Sequence, residues 1–104
     1  MQYIEWYLVY HGIVKRQRVY MNHILDVRTK EEFESGAVDG AINFPVEDID
    51  RGLAPEIPHN ATVYVYCRSG GRSGRAKQLL ETLGFKRVVN LGGVDEVRQY
   101  FERT

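Results

Sequence analysis

Ala61-Thr62-Val63-Tyr64-Val65-Tyr66-Cys67 runs straight into Arg68-Ser69-Gly70-Gly71-Arg72-Ser73-Gly74. The residues before Cys67 are β-branched and aromatic, a composition that suits a central strand. Beyond the glycines, Ala76, Leu79, Leu80 and Leu83 recur at i, i+3, i+4 and i+7, the spacing of one helix face. Gly84 follows where a helix closes. A buried strand, a glycine-rich loop and an amphipathic helix in this order form the middle of a βαβ arrangement, with Cys67 at the junction.

The same alternation continues on both sides. Upstream, 23–27 is a short apolar run that reads as a buried strand. Thr29 and Glu32 then have the spacing of a capping box, which predicts a short helix carrying Phe33 and ending at Gly36. Residues 41–44 read as another strand, closed by Pro45, and Val46, Ile49 and Leu53 at i, i+3 and i+7 predict a small helix. Downstream, 87–91 is a further strand and Gly92-Gly93 a turn. Val94, Val97 and Phe101 give a last amphipathic helix. Strands and helices alternating at this spacing predict an α/β domain whose mostly parallel central sheet is flanked by helices.

Residues 1–22 depart from that rhythm. They hold Tyr3, Tyr7, Tyr10 and Tyr20, four of the seven tyrosines, and Trp6, the single tryptophan. Two apolar runs flank His11-Gly12, which predicts an added N-terminal strand or hairpin in front of a domain over 23–104. Aromatic residues suit either the end of the sheet or a dimer contact, so a monomer or a weak homodimer is expected.

A length of 104 residues, 43% apolar and 27% charged, is that of one globular domain with a modest core. Fourteen basic residues balance fourteen acidic ones, so net charge supplies no attraction to nucleic acid or to an anionic membrane. No run approaches the ~20 apolar residues that span a bilayer. The apolar start is interrupted by Glu5 and is followed, rather than preceded, by Lys15, Arg16 and Arg18, the wrong order for an export signal. A soluble cytoplasmic protein is the expectation. His11, His23 and His59 have no metal-ligand spacing with Cys67 or with one another, so no metal is expected, and a two-step displacement at a cysteine calls for no organic cofactor. The Glu31, Glu32 and Glu34 cluster reads as the solvated face of a helix.

Cys67 is the only cysteine, so it forms no internal disulfide. A thiol at the carboxyl end of a parallel strand sits where open α/β sheets bind ligands. Gly70, Gly71 and Gly74 let the backbone curl with its N–H groups turned inward, and a helix N-terminus behind them adds positive potential. Over 57–80 there is no acidic side chain, whereas Arg68, Arg72, Arg75 and Lys77 are basic. That surplus favours a thiolate and draws in a small anion. Free cysteine is often simply buried. The loop, the charge and the strand-to-helix position argue together for a reactive site instead.

These segments resemble a known family. Leu25-Asp26-Val27-Arg28 followed by an acidic helix, then Gly40-Ala41-Ile42-Asn43-Phe44-Pro45, then Val65-Tyr66-Cys67-Arg68-Ser69-Gly70-Gly71-Arg72-Ser73, look like a single-domain rhodanese over about 23–100. The resemblance implies a rhodanese-like domain and thiosulfate sulfurtransferase activity, with Cys67 as the nucleophile that carries sulfane sulfur as a persulfide. Two features depart from the family pattern. Ala37 stands where many members have a histidine, a change that bears on local packing rather than chemistry. The Tyr-rich segment replaces the usual helix before the first core strand.

On this reading Cys67 is catalytic, and Arg68, Ser69, Gly70, Gly71, Arg72 and Ser73 form the substrate-binding loop. Arg72 and Arg68 are candidates for the sulfonate end of thiosulfate, since a guanidinium matches oxyanion geometry. Ser73 is a hydrogen-bond donor or the N-cap of the helix, and Asp26 with Arg28 a structural ion pair. The partners expected are thiosulfate or a similar sulfane-sulfur anion, and a thiol acceptor such as a thioredoxin-like protein. A persulfide carrier in a protein relay would use the same loop. A cysteine-dependent phosphatase or arsenate reductase is the remaining enzyme class, but such loops read C-x5-R, and here Arg72 gives C-x4-R, a smaller ring. A binding module without chemistry has no need of the cysteine inside its basic ring.

Overall fold

A computed structural model describes residues 23–102 of the chain. The N-terminal hairpin expected over 1–22 lies outside the described residues. Four strands and four helices alternate: β1 (Ile24–Asp26), α1 (Lys30–Glu34), β2 (Ile42–Asn43), α2 (Val46–Asp50), β3 (Thr62–Cys67), α3 (Gly71–Thr82), β4 (Arg87–Gly93) and α4 (Val94–Glu102). The strands form one sheet in the order β2-β1-β3-β4, and each neighbouring pair is parallel. The α/β architecture expected from the sequence is present.

Sheet order locates the site. From β1 the chain steps to one side to make β2, then crosses over to build β3 and β4 on the other. The reversal opens a crevice between the carboxyl ends of β1 and β3, where open α/β sheets take ligands. Cys67 ends β3 at that crevice, and α1 follows the carboxyl end of β1.

The period-2 pattern of β3 divides the core. Val63, Val65 and Cys67 face one side, packed with Leu25, Val27, Val46, Ile49, Ala76, Leu80 and Phe85. Tyr64 and Tyr66 face the other, with Ile24, Val38, Leu91, Val94 and Val97. Since strand side chains alternate, Cys67 is bound to the face that α3 covers. Buried on both faces, β3 has no polar side and reads as a continuous apolar run.

Local signals place most elements, with some corrections. The capping box is complete: the Thr29 hydroxyl accepts from the Glu32 N–H, and the Glu32 carboxylate accepts from the Thr29 N–H. The small helix stops at Asp50, and the turn at Gly52, with φ of 90°, carries Leu53 out to solvent, so Leu53 is not a core residue. Gly92 and Gly93 do not turn the chain; they finish β4. Pairing shifts there, from Val65 opposite Asn90 to Tyr66 opposite Gly92, so Leu91 is the extra residue of a bulge. Ser73 is not the N-cap of α3 either. That position belongs to Gly70, and the helix begins at Gly71, inside the loop.

Candidate active site

The Cys67 sulfur lies under the start of α3. Gly70, at φ of 96°, adopts the left-handed conformation natural to glycine and aims its N–H at Sγ from 3.0 Å. The Ser73 hydroxyl lies 3.4 Å from the same sulfur. The first intrahelical bond runs from the Gly74 N–H to the Gly70 carbonyl, so the preceding N–H groups are left to serve the cradle. Burial pushes the Cys67 thiol up. The Ser73 hydroxyl and the N–H groups of Ser73, Ser69 and Gly70 outweigh it, and the net shift is downward. These donors and the helix N-terminus favour an anion on the sulfur.

The loop rests on β4 without a gap. A Cβ at Gly93 would stand 2.6 Å from the carbonyl oxygen of Arg68. Behind Gly70, the Asn90 amide accepts from the Ser73 hydroxyl at 2.7 Å and from the Gly92 N–H at 2.9 Å, and donates to the Gly70 carbonyl at 3.2 Å. Strand alternation puts Asn90 on the same face of β4 as Val88, the face that α3 covers, and this brings its side chain to the loop.

Of the loop residues singled out on sequence, Gly70 and Ser73 are at the sulfur. Ser69 contributes its N–H, and its residue is exposed, as is Arg68. Gly71 is the first residue of α3. Arg72 reaches across the crevice to Glu32, with Nη1–Oε1 at 2.6 Å and Nη2–Oε2 at 2.9 Å. Glu32 is therefore not part of a merely solvated helix face. Arg72's hydrogen bonds, aided by those of Thr29, hold the Glu32 carboxyl down to about 2. Arg75 is likewise paired, with Asp50, at 2.6 Å. The basic surplus read along the chain is thus partly neutralised by acids from α1 and α2.

Beneath the crevice, Asp26 and Arg28 form the structural pair expected of them. Arg28 Nη2 donates to Asp26 Oδ2 at 2.6 Å and to the Gly36 carbonyl at 2.7 Å, and both residues are buried. Asn43 ties the same segment down by donating to the carbonyls of Asp26 and Arg28. Sequence reading missed Asn90 as a support of the loop. The local signal was an Asn two residues before a glycine whose N–H it accepts, as in an Asx turn. No local signal joins Glu32 to Arg72.

A parallel α/β sheet carries one hydrogen-bonded sulfur at its switch point, an arrangement suited to an anion on a cysteine. Comparison with known proteins makes the class specific. The Rhodanese-like domain family matches residues 12–99. The thiosulfate sulfurtransferase PspE of Escherichia coli is 40% identical over 76 residues, covering 72% of this chain and 73% of that protein. A putative sulfur carrier protein of Bacillus subtilis, YrkF, is 36% identical over 69 residues, covering 66% of this chain; the matched part is 37% of that carrier's length. Among solved structures, a rhodanese with anions from E. coli superposes with a TM-score of 0.65 at 38% identity, covering 72% of this chain and 89% of that one. The chain belongs to the rhodanese sulfurtransferase family. Among the described residues, no helix is long and apolar enough to cross a membrane.

Proposed function

We propose that the protein moves sulfane sulfur from thiosulfate to cyanide or a thiol through a persulfide on Cys67. The observation that carries this reading is the buried sulfur at the N-terminus of α3, with the Gly70 N–H at 3.0 Å and the Ser73 hydroxyl at 3.4 Å. In the first step the Cys67 thiolate attacks the outer sulfur of thiosulfate. A new S–S bond forms, the S–S bond of thiosulfate breaks, and its electron pair leaves with sulfite. In the second step cyanide or a thiol attacks the terminal sulfur, and the Cys67 thiolate is the leaving group. The same donors stabilise the thiolate before the first step and after the second, so their stabilisation acts on both half-reactions.

Arg72 serves the departing sulfite. Two of its five N–H donors are on Glu32, which fixes the guanidinium beside the loop and leaves three for an oxyanion. Arg68, exposed at the rim, attracts the anion. The C-x4-R spacing keeps the ring small, which suits one sulfur better than a phosphoryl group.

Intact mass before and after thiosulfate tests the proposal. The wild type gains one sulfur atom that cyanide removes, and Cys67→Ala gains none. A Cys67 that alkylates freely yet gains no sulfur overturns it. The name and 36% identity of the putative sulfur carrier support a second reading, a relay to a thiol protein such as a thioredoxin-like one. In that case transfer to the protein thiol outpaces transfer to cyanide.

A further inference from the structure

The buried Ser73 hydroxyl has one proton and three acceptors within reach: Asn90 Oδ1 at 2.7 Å, the Gly70 carbonyl at 3.1 Å and Cys67 Sγ at 3.4 Å. The amide orientation of Asn90 follows from its other partners. The Gly92 N–H requires Oδ1 on its side, and the Gly70 carbonyl requires Nδ2. Oδ1 is therefore the acceptor presented to Ser73, and it is the nearest of the three.

We infer that Asn90 is a positioning residue that competes with the Cys67 sulfur for the Ser73 proton, and so sets how much thiolate charge the loop carries. A neutral thiol is a weak acceptor and leaves the proton with Asn90. A thiolate, or the terminal sulfur of a persulfide, is a stronger one and draws the hydroxyl round without moving the backbone. When Asn90 is changed the Gly70 carbonyl keeps a partner, because it also accepts the Gly74 N–H at 2.9 Å. The charged groups about the loop are Arg68 on the loop itself, Arg72 with its partner Glu32 of α1, Glu47 of α2, which also acts on Arg72, Arg75 of α3 with its partner Asp50 of α2, and Glu96 of α4. A Cβ at Gly93 would stand 3.3 Å from the Glu96 carboxylate. None of these hydrogen-bonds Asn90 in the structure, so changing Asn90 leaves their contacts in place.

The inference rests on Cys67 being the reactive thiol, and its test is alkylation of Cys67 by iodoacetamide as a function of pH. That readout needs no thiosulfate, so it separates failure of this inference from failure of the donor assignment. Asn90→Leu removes the nearest competitor and leaves the Ser73 proton between the neutral Gly70 carbonyl at 3.1 Å and the sulfur at 3.4 Å, of which a thiolate is the stronger acceptor. Alkylation below the wild-type midpoint then rises roughly three-fold, a modest gain for one added hydrogen bond to a charged group. In the Ser73→Ala background the same change has no effect. Asn90→Asp keeps the acceptor, adds charge and slows alkylation by a larger factor with the Ser73 hydroxyl present than in the Ser73→Ala background, where only like-charge repulsion remains, which gives a second reading should the leucine variant fold poorly. Slower or unchanged alkylation in Asn90→Leu, an equal gain without the Ser73 hydroxyl, or Asn90→Asp alkylation that is faster, or slowed equally in both backgrounds, overturns the inference.

Discussion

Arg72 and Glu32, forty positions apart in the chain, close a two-point ion pair at 2.6 and 2.9 Å across the crevice between β1 and β3. The pair joins the cysteine loop to the capping box of α1. The Arg72 hydrogen bonds hold the Glu32 carboxyl down to about 2, from 4.5 for an unperturbed glutamate. A carboxylate depressed in this way contributes stability that is full above the unfolded value and is lost as pH falls toward the folded one. Both side chains are about a quarter to a third exposed, so screening limits the pair to roughly 0.2–1 kcal/mol. Urea unfolding should show this component fading from pH 4.5 toward 2 in the wild type. Glu32→Gln should lack it, and an unchanged pH profile would contradict the assignment.

The lowered Cys67 thiol predicts that sulfur loading falls as pH drops through a midpoint below that of an ordinary cysteine, since the thiolate is the attacking species. Ser73→Ala removes the hydroxyl that helps hold the thiol down. Its loading rate at neutral pH should fall by roughly ten-fold, about the lower end of what one hydrogen bond to a charged group is worth. Rapid-mixing kinetics across pH measure both effects. A Ser73→Ala midpoint equal to the wild type would remove Ser73 from the cradle.

Gly93 and the Arg68 carbonyl are both backbone, so neither yields easily to an added methyl at 2.6 Å. Gly93→Ala should cost about 1–3 kcal/mol. It should also slow sulfur loading, because the displaced carbonyl drags the loop from the sulfur. Gly71 offers the contrast: a Cβ there meets nothing within 4 Å, and its φ is not positive. Gly71→Ala should keep or slightly raise the thermal midpoint. Equal midpoints for the two variants would refute the close-contact argument.

Asp26→Asn should be the most damaging of these changes to folding. It leaves the buried Arg28 guanidinium without its counter-charge, and breaking such a pair costs about 3–5 kcal/mol. Arg28 also carries the Gly36 carbonyl, so the end of α1 should loosen, visible as faster amide exchange at 33–36. A loss under 1 kcal/mol in urea unfolding would mean that the pair is hydrated and contributes as little as surface pairs do.

What could be read directly from the order of residues was whatever depends on near neighbours. The β-branched run before Cys67 becomes β3, and its alternation puts Val65 and Cys67 on one face and Tyr66 on the other. The Thr29–Glu32 box, the Ala76 and Leu80 stripe, and the ion pair of Asp26 with Arg28 are all contacts over four residues or fewer, set by helix and turn geometry. The glycine loop after the strand announced the cradle for the same reason.

The rest waited for the sheet order β2-β1-β3-β4, which brings distant segments to one crevice. Arg72 finds Glu32, Arg75 finds Asp50, and Ser73 finds Asn90 across separations of 40, 25 and 17 positions. No periodicity encodes such pairings, because each follows from how separate βα units pack. The charge surplus around Cys67 was therefore legible as composition, but its compensation was not. Leu53 shows the complementary case: its spacing suits a helix face, but the chain turns at Gly52 first and leaves it in solvent.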